Sequence, residues 1–103
     1  MEEFIETIAL SRLPVGKGMV VRVADRDVAL FNVEGQVFAT SDACAHAGAS
    51  LGSGKLRGTT VTCRAHGFCY DITTGQCTNI PGLRIASYPV KVVEGKIFVA
   101  VTR

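Results

Sequence analysis

The sequence predicts an all-β protein: an antiparallel sandwich or barrel of about eight to ten short strands, with a loop-built insertion at one end. Three observations carry this. Short runs rich in β-branched residues recur along the chain, 11 glycines supply turns between them, and no helix stands out. With 48% hydrophobic and 19% charged residues, the chain can build a packed core and does not read as disordered. Its 103 residues suit one domain.

Residues 4–10 are apolar enough for a first strand, although the segment 2–10 would also allow a short helix. The stretch 11–18, with Pro14, Gly16 and Gly18, turns the chain into a β-branched strand at 19–23. Strands at 28–33 and 36–40 flank Glu34-Gly35, a two-residue hairpin turn that needs positive φ near the glycine. The same phrase returns at Val93-Glu94-Gly95-Lys96-Ile97-Phe98. Hairpins with β-branched arms converge on such a pattern without duplication, so antiparallel hairpins bracket the middle of the chain. Between them, 41–56 has neither a period of 2 nor one of 3.6, and it is rich in Ala, Gly and Ser. It reads as a loop held by something other than its own side chains. A short strand at 59–63 follows. Strands at 68–72 and 76–79 flank Thr73-Thr74-Gly75 as a further hairpin, 80–83 connects, and strands at 86–93 and 96–101 finish the sheet.

Several functional classes are excluded. The formal net charge is only +2, with no basic patch for nucleic acid and no long run of like charges. The acidic start Met-Glu-Glu-Phe-Ile-Glu lacks a signal-peptide pattern, and no apolar run approaches the roughly 20 residues of a membrane span. A soluble, cytoplasmic monomer is expected. In a reducing compartment, cysteine beside histidine at short spacing reads as metal ligation rather than disulfide chemistry. No Gly-x-Gly-x-x-Gly follows a strand, and no nucleophile–base pair is evident, so the chain is not expected to be an enzyme by itself.

The chemistry concentrates between Cys44 and His66. Cys44-Ala45-His46 and Cys63-Arg64-Ala65-His66 are separated by 16 residues, and they contain both histidines of the chain. Thiolate and imidazole ligands suit zinc, iron–sulfur and copper alike. A zinc finger usually places both cysteines first and both histidines later on a helix. Here each half contributes one Cys and one His, an order that fits two irons, one held by thiolates and the other by imidazoles.

These motifs resemble the Rieske 2Fe–2S signature, in which two histidines replace two cysteines on one iron. The resemblance extends through His66-Gly67-x-x-Tyr70-Asp71-x-x-Thr74-Gly75, Pro81 and Tyr88-Pro89-Val90, nearly the whole chain. It implies a Rieske-like fold with a basal β part at 1–41 and 80–103 and a cluster-binding part at 42–79. It also implies one 2Fe–2S cluster, with Cys44 and Cys63 on the buried iron and His46 and His66 on the outer one. Imidazole Nε2 would lie near solvent, making His46 and His66 the exit for the electron and the potential pH-dependent. Backbone N–H groups around Ala47, Gly48, Ala65 and Gly67 would reach the cluster sulfurs, with plain turn geometry as the alternative for the glycines. Phe68, Tyr70 and Pro81 would cover the site.

Ala49 and Ala65 stand where members from cytochrome bc complexes carry a loop-bridging disulfide, and Phe68 stands where they have serine. This implies a low-potential, ferredoxin-type centre. Cys-Arg-Ala-His resembles the form in ferredoxins of diiron aromatic monooxygenases. Arg64, with Lys55 and Arg57, would give either a basic rim for an acidic partner or merely a solvated loop. Cys69 and Cys77 lie on opposite hairpin arms, as small apolar fillers in preference to a disulfide. The resemblance implies a soluble electron carrier between a flavin-dependent reductase and a terminal oxygenase. Its alternatives are a small subunit of an assimilatory nitrite reductase and a structural zinc-binding module.

Overall fold

The computed structural model describes residues 3–44, 49–65 and 67–101. Its strands are β1 (Phe4–Ala9), β2 (Gly18–Val23), β3 (Arg26–Val33), β4 (Gln36–Ser41), β5 (Lys55–Arg57), β6 (Thr60–Thr62), β7 (Cys69–Asp71), β8 (Ser87–Tyr88), β9 (Val90–Val93) and β10 (Lys96–Ala100). They form three sheets, ordered β1-β10-β9, β2-β3-β4-β8 and β5-β6-β7, and every pairing is antiparallel. The one helical element among the described residues is a 3-10 turn at Leu10–Arg12, and residues 4–9 are strand rather than helix. No helix of the described residues is long and apolar enough to cross a membrane.

The third strand explains how the site is carried. Val28-Ala29-Leu30-Phe31 is an unbroken apolar run, the pattern of a strand covered on both faces, and all four residues are buried. Alternation sends Val28 and Leu30 into one core with Leu13, Val23, Val37, Ala39, Ile97 and Val99. It sends Ala29 and Phe31 into a second core with Leu51, Val61, Tyr70, Ile72 and three of the four cysteines, Cys44, Cys63 and Cys77. The strand is thus a common wall between the β base and the ligand loops.

Both glycine hairpins form. Glu34 and Gly35 have φ of 53° and 94°, and Glu94 and Gly95 have 51° and 76°. Two successive positive-φ residues are the primed turn that matches strand twist. Asn32 locks the first turn, accepting from the Gly35 N–H at 2.8 Å and donating to the Leu13 carbonyl at 2.8 Å.

Three segments differ from the sequence expectation. The segment 41–56 takes in the start of β5 and a bridge between Ala43 and Ser50; strands of three residues or fewer are too short to show a period. The run 86–93 is two strands, not one. Proline lacks an N–H, and Pro89 marks the point where the chain leaves β4, paired Ala39↔Tyr88, for β10, paired Val99↔Val90. The arm 76–79 makes only isolated bridges, Tyr70↔Cys77 and Gln76↔Arg84. The turn before it is held by Asp71, whose side chain accepts from the Thr73 N–H at 2.9 Å and the Thr73 hydroxyl at 2.6 Å. Gly75 closes that turn at φ 86°, where a side chain would run into the Ile85 carbonyl.

Candidate metal centre

Two loops deliver the cysteines to the second core. The first leaves β4 and returns through the Ala43↔Ser50 bridge, and the second leaves β6 and returns as β7. They close alike. The Cys44 N–H donates to the Ala49 carbonyl at 2.9 Å, and the Cys63 N–H to the Phe68 carbonyl at 2.7 Å, each five residues on. Loops whose side chains are small need such backbone closure, since they have little of their own to bury.

Cys44 and Cys63 are 2% and 0% exposed, in the same apolar cluster as Leu51, Val61 and Tyr70, and all four cysteines are unbridged. The Tyr70 hydroxyl lies 3.1 Å from the Cys44 Sγ and is itself fully buried. After Cys63 the chain surfaces, for Arg64, Ala65 and Gly67 are exposed. The second loop therefore rises from a buried floor to the surface. His46, His66, Ala47 and Gly48 lie outside the described residues. With both histidines there, the described residues hold no group of three or more potential metal ligands.

The donor set fits an iron–sulfur centre. Two soft thiols from separate loops lie in one apolar core and are unbridged, a setting that suits thiolate-held clusters or zinc. Phe68 packs on the same core. Pro81 is exposed, in the turn at 80–83, and lines a groove with Cys77 and Leu83. The Gly67 N–H donates to the Cys63 carbonyl at 3.0 Å with φ 72°, so in this structure it closes a turn. Arg64 reaches across to the first loop's return, its Nε donating to the Ser53 carbonyl at 2.6 Å. Lys55 and Arg57 are exposed on β5. Cys77 sits opposite Tyr70 and is buried with it, whereas Cys69 pairs with Thr62 on the other face. Adjacent strand positions point oppositely, so the two thiols are separated by the sheet.

Sequence reasoning missed Asp42. Its buried Oδ1 accepts from the Ser50 hydroxyl at 2.9 Å and the Gly52 N–H at 2.7 Å, and its carbonyl accepts from the Leu51 N–H at 2.7 Å. It is the clasp that the featureless 41–56 segment lacked. No local spacing signals it, because the groups it binds lie eight and ten residues further along the chain.

The Rieske [2Fe-2S] domain family matches residues 3–89. The chain is 35% identical over 96 residues to the naphthalene 1,2-dioxygenase system ferredoxin component of Pseudomonas aeruginosa, covering 92% of this chain and 91% of that one. Among solved structures, it matches a chain of a complex of reduced oxygenase and oxidized ferredoxin in carbazole 1,9a-dioxygenase, with TM-score 0.86, 32% identity and coverage of 94% and 92%. It also matches a putative NADH-dependent nitrite reductase small subunit from Mycobacterium tuberculosis, with TM-score 0.93, 25% identity and coverage of 100% and 98%.

Proposed function

This chain belongs to the Rieske [2Fe-2S] domain family, and from that premise we propose that it is the ferredoxin component of a ring-hydroxylating dioxygenase system. It carries single electrons from a flavin-dependent reductase to a terminal oxygenase and is not catalytic alone. The observation that carries this reading is the convergence of Cys44 and Cys63 in one water-free core from two identically closed loops, in a chain that spans nearly the whole of a dioxygenase ferredoxin.

In this reading Cys44 and Cys63 would hold the inner iron and His46 and His66 the outer one, within a cluster-binding part spanning 42–79. When bound, the cluster supplies a one-electron redox centre. Leu51, Phe68 and Tyr70 exclude water from its inner side, and the Tyr70 hydroxyl supports the Cys44 sulfur. Ala47, Gly48 and Ala65 are candidate backbone donors to the cluster sulfurs. His46, His66 and Arg64 form the surface met by the redox partners, and four unbridged cysteines suit a reducing cytoplasm. Ala49 and Ala65 leave the loops without a disulfide, which supports a potential toward the lower end of the Rieske range.

Iron and labile sulfide in equal amounts, a reduced-state EPR spectrum with nitrogen couplings and a lowered average g, and reduction of a dioxygenase oxygenase component are the expected results. Zinc without sulfide would overturn the reading, and a strongly positive midpoint would overturn the low-potential assignment. The small subunit of a nitrite reductase is the second reading, favoured by the end-to-end structural match. Stable association with a nitrite reductase large subunit, with no transfer to an oxygenase, would decide for it.

A further inference from the structure

Charge is segregated on this molecule. From Ala43 to Tyr70 the sequence carries Lys55, Arg57 and Arg64 and no Asp or Glu. The fold adds Lys17, which with Lys55 and Arg64 lines a groove of about 500 Å³ along the free edge of β5. A second groove of about 490 Å³ lies on the outward face of the β5-β6-β7 sheet, lined by Lys55, Arg57, Thr60, Thr62 and Cys69. Strand register explains the division: Leu56, Val61 and Tyr70 form one row facing the core, while Lys55-Thr62-Cys69 and Arg57-Thr60-Asp71 form the outward rows. Lys55 belongs to both grooves and joins them into one band around the strand edge.

None of these four cations is ion-paired among the described residues, and the carboxylates nearest the band, Asp71 at the end of its outer row and Glu34 in the adjoining groove, are at its margin. The ion pairs of the described residues, Arg22–Asp27 and Lys96–Glu6, lie elsewhere, and the Asp71 side chain turns to the Thr73 N–H and hydroxyl. Protection of an outer strand accounts for Lys55 and Arg57. It does not account for Lys17 and Arg64 on the rim of the neighbouring groove. Cations strung along an edge fit a run of carboxylates better than one small anion, which would need them to converge.

We propose that this band docks a carboxylate-rich segment of the redox partner protein and so sets the partner against the loop that begins at Cys63. The inference rests on the electron-carrier reading. It is tested by titrating fluorescent poly-L-glutamate into the cluster-loaded protein at low ionic strength, following anisotropy. Lys17→Glu, Lys55→Glu and Arg57→Glu are each expected to weaken binding by about fivefold or more. Arg12→Glu, an equal charge change on the exposed 3-10 turn, is expected to stay within about twofold of wild type. Lys55→Gln and Arg57→Gln, with unchanged visible spectra, guard against a folding artefact. Band reversals that weaken binding no more than Arg12→Glu would overturn the proposal. So would displacement of the polymer by inorganic phosphate but not by chloride of equal ionic strength, which would mark a small-anion site. Stopped-flow transfer to an oxygenase separates the two readings. Binding through the band without any transfer sinks the carrier reading, whereas salt-insensitive transfer that ignores the reversals sinks the band.

Discussion

Tyr70 places one hydroxyl against one sulfur, 3.1 Å from Cys44 and shielded from water. If Cys44 holds the cluster as proposed, a hydrogen bond to its thiolate withdraws charge and raises the potential. Tyr70→Phe should therefore lower the midpoint by roughly 20–60 mV, taking about 1 kcal/mol for the bond and ~59 mV per tenfold for one electron; protein-film voltammetry checks it. Arg64 has a second duty that its charge does not reveal, for its Nε ties the second loop to Ser53 where no disulfide joins the loops. Arg64→Lys keeps the charge and loses the planar donor. Faster cluster release under chelator, with low-salt transfer to the partner unchanged, is the expected outcome. The clasp at Asp42 is a test of stability. Asp42→Ala leaves the Gly52 N–H without its acceptor in a buried position, and should cost about 1–3 kcal/mol in denaturant unfolding. That Cys44 and Cys63 belong together was legible in the sequence because the Cys-plus-His order is chemically specific, and the structure buries both in one core. Asp42 and the Arg64 strut were not, because hydrogen bonds between side chains and distant backbone leave no spacing to read.

At the scale of elements, the two glycine hairpins were visible from their turn residues alone, and each uses a glutamate where the backbone needs positive φ. Asn tolerates that region better than Glu. Glu34→Asn and Glu94→Asn should each stabilise by about 0.5–1 kcal/mol, and the two should add because the turns share no partner; thermal denaturation of the single and double variants measures it. β5, β7 and β8 are two or three residues long. Strands that short have register but no period, so sequence could locate their turns and not their ends. The division at Pro89 was legible in principle, since proline cannot donate to a ladder, yet only the two pairings show that the chain changes sheets there.

For the whole molecule, composition and turn frequency announced an all-β domain, and what they could not give was the sharing of β3 between two cores. One of those cores contains Cys44 and Cys63, the proposed ligands of the inner iron. Removing iron under reducing chelation should lower the melting temperature, since a ligand held only by the folded state stabilises it; calorimetry of loaded and stripped protein checks this. The double duty of β3 also limits how this protein can vary. A slip of one residue would send Phe31 into the base and Leu30 toward the cysteines, since neighbouring positions exchange faces. Neither side has room to absorb the trade, as all four residues from Val28 to Phe31 are buried. Descendants of this sequence can change redox properties and partners only through the loops, the rim and the outer strands, while the wall beneath stays closed to drift.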